Sequence, residues 1–337
     1  MLFHGKFTKY MPKTANFAPQ IHDTKQRNLR IMTTKENKNL LMGHMALIFC
    51  NVAWGVMSPF SKDVMNLGLI SPWMLAGTRV VAGAAVFWLL YLLLPQKWIK
   101  HEKVERKDML QLFFAAMLCI TLSTSLNIIG TNYTSPIEAT VVCSTTPILT
   151  LIFSVLLIHE KMSWKRALGV CLGFAGALAF IFNGKTDMAT HATNPMLGNT
   201  LCFVSQVCGA LYLVLFGKVL KKYSAFTSMM WMFTWSAFVM IPFLISDFQQ
   251  SNWADMPLHG WGDISFIVLV CSVLCYILLP IGQKAVRPTA VAMYNYIRPV
   301  ASAVLSALMG LAIVDWHTAL YTLLIFSGVW LVSGGKK

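Results

Sequence analysis

Ten apolar stretches, each long enough to cross a bilayer, dominate this chain: roughly 42–60, 73–94, 109–130, 136–158, 165–183, 196–217, 227–246, 264–282, 288–313 and 316–333. A helix rises 1.5 Å per residue, so about 20 residues cover the roughly 30 Å of hydrocarbon. Helix satisfies every backbone N–H and C=O within one segment, which lipid demands. The stretches are continuous rather than alternating, which argues against a β-barrel. Of the 337 residues 56% are hydrophobic and only 12% charged, about half the roughly 25% of a soluble domain. That balance excludes a large soluble catalytic or nucleotide-hydrolysing domain, and it excludes disorder. The expected fold is all-α and integral to the membrane.

Charge sets the orientation. The formal net charge is +14, which on its own would suggest nucleic acid. Its distribution points instead to topology. With the N-terminus inside, 23 of the 27 Lys and Arg fall in the tail, the even-numbered loops or the C-terminus. Lys62 and Lys185 fall outside, and Arg79 and Arg298 lie within spans. Cytoplasmic loops carry this excess of basic residues. Ten spans with both termini cytoplasmic follow, in contact with membrane lipid and not with nucleic acid.

Residues 1–40 form a basic cytoplasmic tail with no apolar run, hence no secretory signal. Met32 opens MTTKENKN like a translation start, so 1–31 is expected to be an upstream extension, with an organellar transit peptide as the rival. The eight cysteines sit inside apolar runs without a CxxC pair, and they read as small packing residues. No metal site, cofactor or catalytic set is expected. His44, His159, His191, His259 and His317 receive no role.

The chain also repeats itself. A shift of 152 aligns 136–180 with 288–332 without a gap, with ten identities in 45 positions. Pro136 meets Pro288, Pro147 meets Pro299, and Trp164 meets Trp316. The halves are 41–183 and 196–333. Five spans is an odd number, so the second half enters the membrane inverted. Inverted repeats place a binding site near the midplane at their interface.

The stretches ALIFCNVAWGVMSPFSK (46–62), Arg79 in span 2, NYTSPIEATVVCSTTPILTLIFSVLLIHEKMSWKRALGVCLGFAGALAF (132–180) and YNYIRPVASAVLSALMG (294–310) carry a resemblance. They resemble the EamA branch of the drug/metabolite transporter superfamily over about 42–333. The resemblance implies a ten-helix carrier of two inverted repeats, moving small organic solutes such as amino acids, their relatives or drugs. Three positions depart from the family pattern: His159 before Glu160, Ala312 where a second-half glutamate is usual, and Arg298 before Pro299.

Charge inside a bilayer costs about 2.5–3.5 kcal/mol on insertion scales, so Arg79, Glu138 and Arg298 stand out. Arg79 lies about 9 Å below the outer end of span 2, and Glu138 is also in the outer half. Similar depth and opposite charge suggest an ion pair, read either as a proton-coupling site or as a structural clasp. Arg298 lies about 15 Å into span 9, with Tyr294, Asn295 and Ser302 on its face. Its repeat counterpart, Thr146 before Pro147, puts a second polar residue at a broken helix centre. A guanidinium offers a bidentate fork for a carboxylate, so Arg298 is the expected anion contact, with a structural arginine as the alternative.

Further polar stripes run along Asn51, Gly55 and Ser58 with Trp54 beside them, Ser123, Asn127 and Thr131, Ser205, Gly209 and Tyr212, and Ser272 with Tyr276. The substrate-binding set is therefore Arg298, Tyr294, Asn295, Thr146, Asn51, Trp54, Asn127 and Tyr276. Gly169, Gly173 and Gly176 form a small-residue face, for packing within the bundle or for a homodimer seam. Glu160 at the span 4–5 turn is either a gating residue or a solvated charge. No GxxxxGK[ST] occurs, so ATP coupling is not expected. The reading is a secondary carrier in the plasma (inner) membrane, an exporter of a small polar or anionic metabolite, with protons as the candidate coupling ion. A membrane-embedded enzyme and a receptor or scaffold are the alternatives.

Overall fold

The computed structural model describes residues 17–95, 102–159, 163–183, 192–285, 294–311 and 316–333. Glu160, Lys185, His191 and Ala312 lie outside the described residues, as do the first 16 residues of the tail. The described residues are helical, with no β-strand among them. Among the described residues seven helices are long and apolar enough to cross a membrane.

The segments are α1 (Phe17–Asn66), α2 (Pro72–Leu93), α3 (Arg106–Tyr133) and α4 (Pro136–Cys143 with Thr146–Ile158). Then come α5 (Trp164–Asn183), α6 (Pro195–Lys222), α7 (Ala225–Gln250) and α8 (258–285). The chain ends with α9 (Ile297–Leu308) and α10 (Trp316–Ser333).

Local chemistry sets the starts. Ser71, Ser135, Asn194 and Ser224 each cap a helix by accepting the backbone N–H three residues on, and proline follows three of them at the first turn. The expected span 9, 288–313, is shorter among the described residues: a 3-10 turn, Tyr294–Tyr296, leads into the twelve-residue α9. Its C-terminus is a Schellman motif. Gly310 takes φ +69°, Leu311 N–H donates to Ser306 O at 2.9 Å and Gly310 N–H to Ala307 O.

Two helices are rewound in their middles. α3 is π-wound over Met117–Thr124 and α8 over Phe266–Leu274. A shift of 152 carries the centre of the first close to the centre of the second. α4 breaks at Ser144 and Thr145, and the same shift lands on the start of α9.

The most extensive packing joins α5 to α10, α1 to α8, α2 to α7, α3 to α6, α1 to α9 and α4 to α6. Adding five to each number maps this set onto itself. The hydrophobic effect does not drive helices together in lipid, so close van der Waals approach must. A Cβ on Gly328 of α10 would stand 2.5 Å from Gly173 N and 2.6 Å from Gly169 O of α5. The glycine face of α5 is therefore occupied within the bundle, by α10.

Hydrogen bonds tie the ends. At one end Asn252 N–H donates to Leu69 O at 2.9 Å, Ser71 Oγ to Asp247 Oδ2 at 2.6 Å, and Asn194 N–H to Tyr133 O at 3.1 Å. At the other end Lys222 Nζ reaches Asp108 Oδ2 at 2.6 Å and Glu105 Oε1 at 2.8 Å. Tyr223 OH donates to Asp108 Oδ2 at 2.6 Å, and Ser224 N–H to Glu102 Oε2 at 2.6 Å. The hydrogen bond from Lys222, aided by Lys107, holds the Glu105 carboxyl below its ordinary range, while Asp108 and Glu105 raise Lys222.

Candidate functional site

The site is built outward from Asn51. One turn back on α1, Leu47 O accepts from Asn51 Nδ2 at 2.8 Å, and this aims Oδ1 across the bundle. Arg298 Nε of α9 donates to that oxygen at 2.7 Å. The guanidinium carbon lies 4.5 Å above the ring of Trp54, within cation–π range. Trp54 is itself fixed: its Nε1–H donates to Cys271 O at 3.0 Å, and Tyr276 meets its ring edge-on at 5.9 Å. Phe233 and Phe87 continue the aromatic column, with centroids at 5.7 and 5.2 Å.

Gly55 is what lets α9 come so near. A Cβ there would stand 2.5 Å from Arg298 O and 2.9 Å from Ala301 Cβ. Ser58, further along the stripe, and Ser302 of α9 both donate to Pro136 O, at 3.4 and 3.1 Å. The face Asn51, Gly55, Ser58 thus meets α9 and the start of α4.

A second polar group gathers where α4 breaks. Asn127 Nδ2 and Gln206 Nε2 converge on Cys143 Sγ at 2.9 and 3.1 Å. Thr146 Oγ1 lies 2.7 Å from both Cys143 O and Gln206 Oε1. Tyr294 hydrogen-bonds His44 of α1, and Asn295 is half-buried in the same 3-10 turn.

The expected ion pair is not made. Arg79 Nε donates to Ser272 Oγ at 2.6 Å. Glu138 Oε2 accepts from Asn199 Nδ2 at 2.7 Å and faces Thr134 Oγ1 at 2.9 Å. Each charge finds a neutral partner on the other half of the chain, Ser272 for Arg79 and Asn199 for Glu138. Arg79 points into the π-wound turn of α8, while Glu138 occupies the first turn of α4, where Ser135 Oγ accepts its N–H at 3.2 Å. That S-x-x-E spacing is a capping-box signature, but the carboxylate itself bonds Asn199 and Thr134.

Lys62 is also corrected. The sequence puts it in an outer loop, but it is 1% exposed. Its Nζ donates to Thr131 O at 3.3 Å, Thr134 O at 3.2 Å and Asn132 O. It thereby closes carbonyls left open at the end of α3. The signal was present: 51, 55, 58 and 62 continue one helical face. Gln206 and Asn199 were missed too. Gln206 stands one residue past Ser205 in an otherwise apolar stretch, and Asn199 lies one helical face from Pro195.

The model of the EamA-like transporter family matches residues 41–182 and again 196–334. The chain belongs to the EamA-like transporter family. It is 25% identical over 275 residues to the uncharacterized transporter YyaM of Bacillus subtilis, covering 82% of this chain and 88% of that protein. A transporter of Archaeoglobus fulgidus is 24% identical, covering 86% and 92%. The WAT1-related protein At5g13670 of Arabidopsis thaliana is 21% identical, covering 87% and 84%. A solved crystal structure shares the fold at TM-score 0.55 and 16% identity, over 88% of this chain and 96% of that one. This EamA-family chain is a multi-pass membrane protein of a transporter family, whose members work on small-molecule solutes in a membrane.

Proposed function

We propose that this protein is a secondary carrier exporting a small polar or anionic metabolite across the plasma membrane by alternating access. The observation that carries this reading is Arg298. It sits on the second half of the chain, is positioned by Asn51 and Trp54 of the first half, and among the described residues no hydrogen bond occupies the Nη edge of its guanidinium. A solute carboxylate would take that edge bidentately. Asn127, Thr146 and Tyr276 would line the remainder, with Tyr294 and Asn295 at the entrance turn of α9.

The surrounding architecture is ten membrane helices in two inverted five-helix halves, 41–183 and 196–333, with both termini cytoplasmic. The packing set that returns to itself on adding five supports this, as do the paired π-wound segments. The loops after α1 and α7 meet at one end, as shared sidedness requires. Coupling to protons is assigned to Glu138, which links α4 of one half to α6 of the other through Asn199.

The test is counterflow in proteoliposomes with a panel of radiolabelled organic anions and amino acids. Wild type exchanges a subset, and Arg298→Gln loses about 10-fold or more in apparent affinity, as expected for a charge-assisted pair worth about 1.5–3 kcal/mol. Exchange unchanged by Arg298→Gln refutes the site.

A further inference from the structure

Thr134, Glu138 and Asn199 close a ring of three polar contacts. Thr134 Oγ1 stands 2.9 Å from Glu138 Oε2 and 2.8 Å from Asn199 Oδ1. Asn199 Nδ2 stands 2.7 Å from the same Glu138 Oε2. Thr134 and Asn199 are fully buried, and Glu138 is half-buried. Three contacts of hydrogen-bond length need three hydrogens. A threonine hydroxyl has one to give, and an asparagine gives only from its nitrogen. An ionised Glu138 has none. One side of the ring would then set two acceptor oxygens face to face.

Turning the amide over does not help. With its nitrogen and oxygen exchanged, Asn199 donates to Thr134, and Thr134 donates to Glu138. The bare contact then moves to the 2.7 Å side between Asn199 and Glu138. The third hydrogen must be the carboxyl's own. Protonated on Oε2, Glu138 donates to Thr134 Oγ1, Thr134 donates to Asn199 Oδ1, and Asn199 Nδ2 donates back to Oε2.

The ring joins both halves of the chain. Thr134 follows α3, Glu138 lies in the first turn of α4, and Asn199 lies near the start of α6. The backbones there leave no slack: a Cβ on Gly198 would stand 2.7 Å from Gly130 O and from Thr134 Cβ. The ionisable side chains on the stretches packed around this turn are Lys62 of α1, Tyr133 of α3, Cys202 of α6, Arg298 of α9 and Tyr321 of α10. Lys62 is held by backbone carbonyls, Thr134 O among them at 3.2 Å, and Arg298 by Asn51.

Resting on the assignment of proton coupling to Glu138 above, we propose that this conformer is the proton-loaded one, and that Thr134 and Asn199 are the positioning residues that sense the proton. Release to water leaves the electron pair on Oε2 and one side of the ring without a hydrogen. The ring opens, and α6 parts from the turn between α3 and α4. The proton is thus a fastener between the two halves.

Two readouts on the purified full-length protein in lipid, taken over one pH series, test this. Infrared spectra follow the carboxylic-acid band of Glu138, assigned by its loss in Glu138→Gln or, should that variant not fold, its shift in Glu138→Asp. Spin labels at Asn132 and Met196 follow the gap between the α3–α4 turn and α6. In the wild type the gap is expected to widen over the same pH interval in which the acid band disappears. Glu138→Gln carries its hydrogens permanently and should hold the short distance throughout. In Asn199→Leu the band should still titrate while the distance ceases to follow it. A short distance without an acid band, or one distance on both sides of the band's loss, overturns the proposal, and the wild type alone decides this. Neither readout uses a solute, so their failure is distinct from a failure of counterflow, which refutes the carrier reading.

Discussion

Gly55→Ala places one methyl where α1 crosses α9, and its cost can be worked from geometry. The new Cβ would stand 2.5 Å from Arg298 O, against 3.4 Å for an ordinary contact, so the two backbones must part by about 0.9 Å. Backbone cannot rotate away as a side chain can. Overpacking of this kind costs about 1–3 kcal/mol. The same displacement stretches the Arg298–Asn51 bond from 2.7 Å to about 3.6 Å, beyond hydrogen-bond length. Losing that charged bond removes about 1.5–3 kcal/mol of positioning, or roughly 10- to 100-fold in solute affinity. The assay pairs thermal unfolding in detergent with counterflow in proteoliposomes. Gly217→Ala on α6, whose added Cβ meets nothing within 4 Å, serves as the control. If Gly55→Ala melts and exchanges solute like that control, the close crossing does not position the arginine.

Lys62→Met keeps the length of the side chain but removes the donor to three carbonyls, and it is expected to destabilise the protein by about 2–4 kcal/mol in detergent unfolding. A wild-type unfolding midpoint would contradict the capping role. Gly328→Val should split α5 from α10 and lower stability without changing the oligomeric mass by light scattering. A loss of mass would instead make the glycine face a seam between copies. The clasp of Glu105 and Lys222 has a lowered carboxyl and a raised ammonium, so its contribution is complete between about pH 5 and pH 10. It is lost as pH falls through the folded-state value of Glu105, which the hydrogen bond from Lys222 holds below the ordinary carboxylate range. Spin labels at Val104 and Ala225 should hold one distance over the plateau and separate at acid pH, and a separation near neutrality would refute the sign.

How much of this was legible in the sequence depends on what each residue is paired with. Apolar length and basic flanks announced the helices, because lipid leaves the backbone few choices. Asn51, Trp54 and Arg298, which the structure brings together, could be singled out because helical spacing and a charge within an apolar span are one-dimensional signals. The Arg79–Glu138 pairing failed because depth along two helices says nothing about which way each side chain turns. Arg79 turned to Ser272, and Glu138 to Asn199 and Thr134. Lys62 was misplaced because α1 continues to Asn66, past the apolar run that marked its expected end. Gln206 becomes visible only once α4 is seen to break beside it.

The widened turns of α3 and α8 hold one residue more than their neighbours need. Such surplus can be pushed along a helix like a ruck in a carpet, each step exchanging one set of backbone bonds for another of equal number. As it passes, the side chains it overtakes swing round the axis by about 100°, the arc between consecutive helical residues. Thr121 and Ser272 ride on these stretches, bonded at 3.0 Å to Ser236 and at 2.6 Å to Arg79. A sideways twist of either helix would therefore break and remake those two contacts while leaving its ends where they are, a way for the middle of the molecule to change shape inside fixed walls.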